Sequence, residues 1–130
     1  MKVFLGGTCN DSTWREQLKP LLKIDWFDPV VKDWTPECMA EELKQRKECD
    51  YCLYVITPKM IGVYSIAEVV DDSNKRPHKT VFCYLPIDDM EGFTKAQLKS
   101  LGQVARMVKE NDAYVAFSLD EVATILNGGY

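Results

Sequence analysis

The chain has 130 residues and a formal net charge of −4, because twenty Asp and Glu outnumber sixteen Lys and Arg. Its 46% hydrophobic and 28% charged content is typical of a globular protein, and the length predicts one domain over residues 1–130. The acidic balance disfavours nucleic-acid polymers and anionic membranes as partners, since both attract basic surfaces. No apolar run approaches the roughly 20 residues of a membrane span.

Apolar runs alternate with amphipathic stretches, which predicts five strands and five helices. The strands are predicted over residues 3–5, 24–27, 51–56, 79–85 and 113–117. The helices are predicted over residues 12–22, 35–48, 64–75, 94–109 and 118–126. Pro20 is expected to bend or shorten the first helix. Residues 86–92 are predicted to be a loop and residues 128–130 a tail.

Several helix starts carry capping signals. Asp11 or Ser12 is expected to cap the first helix, and Thr35 the second. Ser118 is expected to cap the last helix, with Glu121 completing a capping box. The acidic pair at residues 88 and 89 is expected to lie solvated in its loop.

The alternation of strands and helices with short connections predicts an α/β fold. At this length we expect a flavodoxin-like, doubly wound, five-stranded parallel sheet in the order 2-1-3-4-5, with helices on both faces. Ligands of such sheets bind beyond the carboxyl ends of the strands, where the order switches between strands one and three. The site is therefore predicted in the loops at residues 6–12, 28–35 and 57–64.

The helix at residues 64–75 carries the most informative polar pattern. Ser65, Glu68 and Asp72 share one face, which borders an apolar stripe. We expect Glu68 in the first turn, where the helix N-terminus and the Ser65 hydroxyl would favour its ionised form. A positioned carboxylate of this kind can attack a sugar carbon. A solvated Glu that only complements the helix dipole is the alternative, and the pattern alone favours it.

Other candidate residues border the same loops. Gly6 and Gly7 remove side chains where strand one ends, so that a ligand can approach the backbone, although a plain tight turn explains them too. Asp28 ends strand two and can bind a hydroxyl or hold a proton, or simply form a turn. Trp34 and Tyr64 can stack on a planar base.

The five cysteines allow redox, metal-binding or nucleophilic roles in principle. Cys49 and Cys52 enter a strand, which favours core packing over a redox pair. Cys9 and Arg15 have the spacing of a phosphatase anion loop, but Asp11 between them would repel phosphate. A single histidine cannot build a multi-histidine site, so no metal or cofactor is expected. Five cysteines, an odd number, without a targeting signal predict a reducing cytoplasm.

Taken together, six motifs resemble the small members of the nucleoside 2-deoxyribosyltransferase-like family over roughly residues 1–85. They are VFLGGT at 3–8, STWR at 12–15, DPVV at 28–31, DWTP at 33–36, DYCLYVITP at 50–58 and GVYSIAEV at 62–69. The resemblance implies a flavodoxin-like domain that cleaves or exchanges the N-glycosidic bond of 2′-deoxynucleosides. It implies Glu68 as the nucleophile, with Ser65 beside it, and a deoxyribosyl-enzyme intermediate.

The resemblance also implies roles around the nucleophile. Asp28 and Glu42 are candidates to contact or protonate the base, with Asp28 favoured by position. The substrate-binding candidates are Gly6, Gly7, Thr8, Trp34, Met60, Gly62 and Tyr64. Family sites are completed by a neighbouring subunit, which implies a homo-oligomer. No basic cluster is evident for a phosphate, which favours nucleosides over nucleotides as the small-molecule partner.

Two positions depart from the family pattern and keep other functions open. Phe4 stands where the transferases place a strand-one tyrosine, and Gly62 stands where they carry an acid. These departures allow a nucleoside- or nucleotide-binding module without chemistry. A TIR-like hydrolase acting on the ribosyl bond of NAD, with the same fold and a helix Glu, is a second alternative. A cysteine-dependent phosphatase is a remote third.

Overall fold

The computed structural model describes residues 1–9 and 11–128, so the last two residues of the predicted tail lie outside it. Its strands are β1 Lys2–Gly7, β2 Asp25–Phe27, β3 Tyr51–Ile56, β4 Thr80–Tyr84, β5 Ile87–Asp88, β6 Glu91–Gly92 and β7 Tyr114–Ala116. Its helices are α1 Trp14–Leu18, α2 Pro36–Glu48, α3 Tyr64–Lys75, α4 Lys95–Glu110 and α5 Leu119–Leu126. Across this part of the chain, no helix combines the length and apolar character needed to cross a membrane.

Five strands form one parallel sheet in the order β2-β1-β3-β4-β7. With helices on both faces, this is the flavodoxin-like arrangement that the sequence predicts. Every residue of β3 is buried, which explains its continuous apolar run, because a central parallel strand is covered on both faces. The order reverses at β1 and β3, so the carboxyl ends of these two strands define the expected ligand crevice.

Two cores pack against opposite faces of the sheet. On one face, α1 and α5 cover alternate residues such as Leu53 and Val55 of β3. On the other face, α3 and α4 cover Cys52, Tyr54 and Ile56. Cys49 and Cys52 are buried in this second core, as core packing requires, and burial raises the pKa of the Cys52 thiol to about 12.

The capping predictions hold at two helices and fail at one. The Thr35 Oγ accepts from the backbone N–H of Cys38, and the Ser118 Oγ accepts from that of Glu121. The prediction for α1 was wrong, since its N-cap residue is Thr13. Pro20 does shorten α1, which continues only as one 3₁₀ turn over Lys19–Leu21. At α5 only the Ser118 half of the predicted capping box is observed, and the structure instead has a reciprocal capping box at the start of α4, between Thr94 and Gln97.

The predicted loop at residues 86–92 is in fact an antiparallel hairpin of β5 and β6. Its two turn residues, Asp89 and Met90, have φ of 51° and 68°, as a two-residue hairpin turn requires. The expectation of two solvated acids was also wrong for Asp88, which is buried and accepts a 2.6 Å hydrogen bond from the Ser12 hydroxyl. Lys59 forms ion pairs with Asp89 and Glu91 on the same hairpin.

Candidate active site

A cavity of about 320 Å³ opens at the carboxyl ends of β1 and β3. Its lining residues are Gly6, Gly7, Cys9, Arg15, Pro29, Val30, Val31, Trp34, Glu42, Tyr64, Ser65 and Glu68. An adjoining cavity of about 180 Å³ shares part of this wall and extends it along Thr8, Met60, Ile61 and Gly62. The structure therefore brings most of the predicted site residues together at the crevice that the topology defines.

The floor of the cavity needs both glycines for steric reasons. A Cβ on Gly6 would lie 2.7 Å from the Tyr54 ring. A Cβ on Gly7 would lie 2.1 Å from the Val55 carbonyl oxygen, and Gly7 has a φ of +118° that disfavours any other residue. Close packing of β1 against β3 thus explains these glycines, and it leaves bare backbone at the cavity floor.

Arg15 of α1 is committed to the end of β1. All three of its guanidinium nitrogens donate to backbone carbonyls, namely those of Leu5 at 3.0 Å, Thr8 at 2.7 Å and Gly7 at 3.4 Å. Burial lowers the pKa of Arg15, although nearby Asp28 opposes this effect. The phosphatase alternative needs this arginine free to grip a phosphate bidentately, so the arrangement disfavours that alternative.

Asp28 shapes the loop after β2. One carboxylate oxygen accepts from Lys19 at 2.8 Å, and the other accepts from the backbone N–H of Val30 at 3.0 Å. The neighbouring Pro29 and Val30 line the cavity. This is the geometry of an Asp that closes its own turn and fixes the cavity wall behind it.

Glu68 lies deep in the cavity wall, in the second turn of α3 rather than the first, and Ser65 lines the wall beside it. Only 7% of the residue is exposed. Burial raises the pKa of Glu68 to about 7; Arg46 opposes this, while Glu42 and Asp72 add to it. The expectation that the helix N-terminus would favour the ionised form is therefore corrected, because Glu68 lies beyond the first turn and burial raises its pKa.

Glu42 of α2 provides a second carboxylate on the same cavity. Burial raises the pKa of this half-buried group as well, against the influence of Arg46 and Arg15. Two carboxylates with perturbed titration in one cleft can divide the roles of base and acid, as their ionisation is coupled. Glu42 lines the cavity and Asp28 does not, so the geometry favours Glu42 for contact with a bound nucleobase. This reverses the order that position in the sequence suggested.

A buried ionic network centred on Asp72 lies behind Glu68, and the sequence does not predict it. Arg46 donates to Asp72 at 2.9 and 3.1 Å, and Arg76 donates to the same carboxylate at 2.8 and 2.9 Å. The Tyr54 hydroxyl also donates to Asp72. The only local signals were a tyrosine in an apolar strand and an acid one helical turn beyond Glu68.

The remaining predicted residues form the rim and the second cavity. Trp34 and Tyr64 are 55% and 70% exposed at the mouth of the main cavity, where a planar ring could lie against them. Gly62 has open space around it, and Phe4 is buried against Phe27 in the core. Among residues 1–9 and 11–128, no group of three or more potential ligands is arranged to hold a metal ion.

The fold and cavity define a class: a doubly wound α/β protein with an acidic ligand site at the sheet's switch point. The family model described as "Nucleoside 2-deoxyribosyltransferase like" matches residues 1–86, which span every strand and loop that builds the cavity. The chain belongs to this family, and membership indicates a related glycosyl-transfer function for a small nucleoside substrate. A search of curated proteins found no match.

Proposed function

We propose that the protein cleaves or transfers the N-glycosidic bond of 2′-deoxynucleosides, with Glu68 as the nucleophile. The observation that carries this proposal is the pair of half-buried and buried carboxylates, Glu42 and Glu68, on one cavity at the switch point. Both titrate above their ordinary range, as acid–base and nucleophilic groups commonly do. Family membership supplies the substrate class.

In the first step, a Glu68 carboxylate oxygen attacks C1′ of the deoxyribose as the bond from C1′ to the base nitrogen breaks. The electron pair of that bond leaves with the base, which takes a proton from the Glu42 carboxylic acid. The transition state resembles an oxocarbenium ion and leads to a deoxyribosyl ester of Glu68. A second base, or water, then attacks C1′ and gives its proton to the Glu42 carboxylate as the ester bond to Glu68 breaks, which releases the sugar with net retention and regenerates both glutamates.

Neighbouring residues bind the substrate in this proposal. Ser65 and the bare backbone of Gly6 and Gly7 contact the sugar hydroxyls, while Trp34 and Tyr64 flank the base. The second cavity, which Thr8, Met60 and Gly62 line, holds the distal part of the nucleoside or the acceptor. Asp28 acts at one remove, by fixing the wall that carries Pro29 and the two valines after it.

Neutral nucleosides fit this site better than nucleotides. Two carboxylates line the main cavity, and the guanidinium of Arg15 is already bound to the carbonyls of β1. A phosphate would therefore meet repulsion without a free cationic fork. Parallel assays on a deoxynucleoside and its 5′-monophosphate test this preference directly.

The central experiment follows base release by chromatography for a panel of deoxynucleosides, with and without an acceptor base. Wild type, Glu68→Gln and the surface control Glu41→Gln are compared. We expect release by wild type and Glu41→Gln only. Without acceptor, intact-mass analysis of wild type should show one added deoxyribosyl group, and peptide mapping should locate it on the peptide that contains Glu68. Base release by Glu68→Gln at the wild-type rate would exclude Glu68 as the nucleophile.

A binding module without chemistry is the second candidate, and the surroundings of two residues favour it. Phe4 offers no hydroxyl near the site, and Gly62 leaves open space where an acid would otherwise stand. This candidate predicts ligand-induced thermal stabilisation that survives in Glu68→Gln, with no base release from either protein. Release of nicotinamide from NAD would instead identify the TIR-like hydrolase.

We further propose a cytoplasmic homo-oligomer whose neighbouring subunit closes the cavity mouth. Exposed apolar side chains line the two cavities or adjoin their lining in sequence, with Ile61 80%, Val63 65% and Tyr64 70% exposed. A second copy that covers this rim would remove the apolar surface from water. Light scattering on wild type and Val63→Glu tests it, and a monomeric wild type would refute it. The five free cysteines suit a reducing compartment.

A further inference from the structure

Arg46 contacts three carboxylates of α3, of which Asp71 is partly exposed and Asp72 and Glu68 are buried. Its Nε and Nη2 bind Asp72 at 3.1 and 2.9 Å, while its Nη1 lies 3.6 Å from Oε2 of Glu68. The Arg46 side chain is 9% exposed and that of Glu68 8%. The guanidinium is therefore shared between a fully buried carboxylate and one that lines the cavity.

Asp72 provides a rigid anchor for this guanidinium. It is completely buried and also accepts hydrogen bonds from Arg76 and Tyr54. Because a guanidinium is planar, fixing two of its nitrogens on Asp72 also fixes the direction of the third. The third nitrogen, Nη1, is the one that faces Glu68.

The charges around Glu68 make this contact important. The charged groups that face it within the described residues are Arg46 and Glu42 of α2 and Asp72 of α3. Burial and the two neighbouring acids disfavour the Glu68 carboxylate, whereas Arg46 favours it. Nucleophilic attack requires the carboxylate form of Glu68. Because Arg46 favours that form, it should raise the reactivity of Glu68.

We propose that Arg46 is a positioning residue that links Glu68 to the Asp72 anchor, opposes the neutralisation of the Glu68 carboxylate and orients it toward the cavity. This inference rests on the proposed role of Glu68 as nucleophile. Arg46 touches no substrate in this scheme and acts through Glu68. Arg76, the C-cap residue of α3, binds the same anchor, which makes it a matched comparison.

The test measures the titration of Glu68 by NMR in protein with ¹³C-labelled glutamate carboxyls, in the absence of nucleoside. Arg46→Gln is expected to raise the pKa of Glu68 by about one pH unit, so that about tenfold less carboxylate is present below that pKa. Arg46→Lys should keep the pKa close to that of wild type, because the charge is retained. Arg76→Gln should leave it unchanged. An unchanged pKa in Arg46→Gln would overturn the proposal.

A second measurement covers the case in which Arg46→Gln does not fold. The Nε resonance of Arg46 in wild type should titrate with the same midpoint as Glu68, and this titration should vanish in Glu68→Gln. A resonance that stays constant through that midpoint would contradict the link. Neither measurement depends on turnover, so loss of the link and absence of base release are separate outcomes.

Turnover then shows whether the link matters for the reaction. If the proteins release base, the acid limb of the kcat/KM profile should move to higher pH in Arg46→Gln by the same amount as the Glu68 titration. Arg46→Lys should restore it, and Arg76→Gln should not move it. A uniform loss of kcat at every pH, without a moved limb, would mark Arg46 as merely structural.

Discussion

Asp72 and Glu68 lie one turn apart on α3, yet their surroundings differ in a way that separates structure from chemistry. Asp72 is completely buried and receives hydrogen bonds from two arginines and a tyrosine. Glu68 is almost as buried, but it faces a cavity and its arginine neighbour stays 3.6 Å away. A carboxylate held by this many donors is fixed in the structure, whereas one with fewer partners at a cavity can still exchange a proton or form a bond.

Removing the compensated carboxylate should have the largest effect. Asp72→Ala leaves two arginines facing each other with the Tyr54 hydroxyl unpaired, and we expect a loss of about 3–5 kcal/mol in the free energy of unfolding. Urea denaturation followed by circular dichroism measures it. A loss below about 1 kcal/mol would mean that the network contributes little to stability.

The next test concerns the proton donor on the cavity side. Glu42→Gln should lower kcat/KM for deoxynucleosides by about 100-fold, since the departing base loses its acid. A deoxyriboside with a nitrophenolate leaving group needs no proton, so its cleavage should change little. Glu41→Gln, one residue away on the exposed side of α2, is the control. Equal losses for both substrates would argue against Glu42 as the acid.

Substitution of Glu68 should stabilise the protein at neutral pH, whereas substitution of Asp72 should destabilise it. Its pKa of about 7 exceeds its ordinary value of 4.5, so the folded state favours the protonated form. That contribution is present below pH 4.5 and is lost as the pH rises through 7. The free energy of unfolding of Glu68→Gln relative to that of wild type should therefore rise by about 1–3 kcal/mol from pH 5 to pH 8. Urea denaturation at both pH values gives the difference, and a constant offset would contradict the coupling.

The smallest effect is expected at the exposed edge of the network. The Asp71 side chain is 42% exposed and bonds Arg46 and Lys75. Asp71→Asn should cost less than about 1 kcal/mol, because water screens and replaces such contacts. Urea denaturation beside Asp72→Ala makes the comparison direct. A cost equal to that of Asp72→Ala would show that burial does not decide the worth of these ion pairs.

The sequence predicts the centre of the sheet well because β1, β3 and β4 are buried on both faces and their sequences are nearly continuous apolar runs. It also places Glu68 and Ser65 on one helix face, since that depends only on helical spacing. The raised pKa of Glu68 escaped prediction, because the burial that causes it is a tertiary effect. The β5–β6 hairpin escaped it too, since Asp89 and Met90 lack the Asn-Gly signal of such turns.

Arg46 and Asp28 both show that local sequence does not reveal which partners a charged side chain binds in the folded protein. Arg46 sits in a polar stretch of α2, where local sequence indicates a solvated face, and only its packing against Asp72 reveals a buried cation. Asp28 has the position of a site residue, but its carboxylate is taken by Lys19 and by its own turn. Pairing partners distant in sequence decide both cases.

The small hairpin fastens two walls of the cavity to one support. Ser12, on the loop after β1, binds Asp88, while Lys59, on the loop after β3, pairs with Asp89 and Glu91. An outward movement of either loop would therefore break contacts with the same hairpin segment, residues 88–91. We therefore expect that lengthening or shortening the hairpin, which lines neither cavity, would change the width of the cleft.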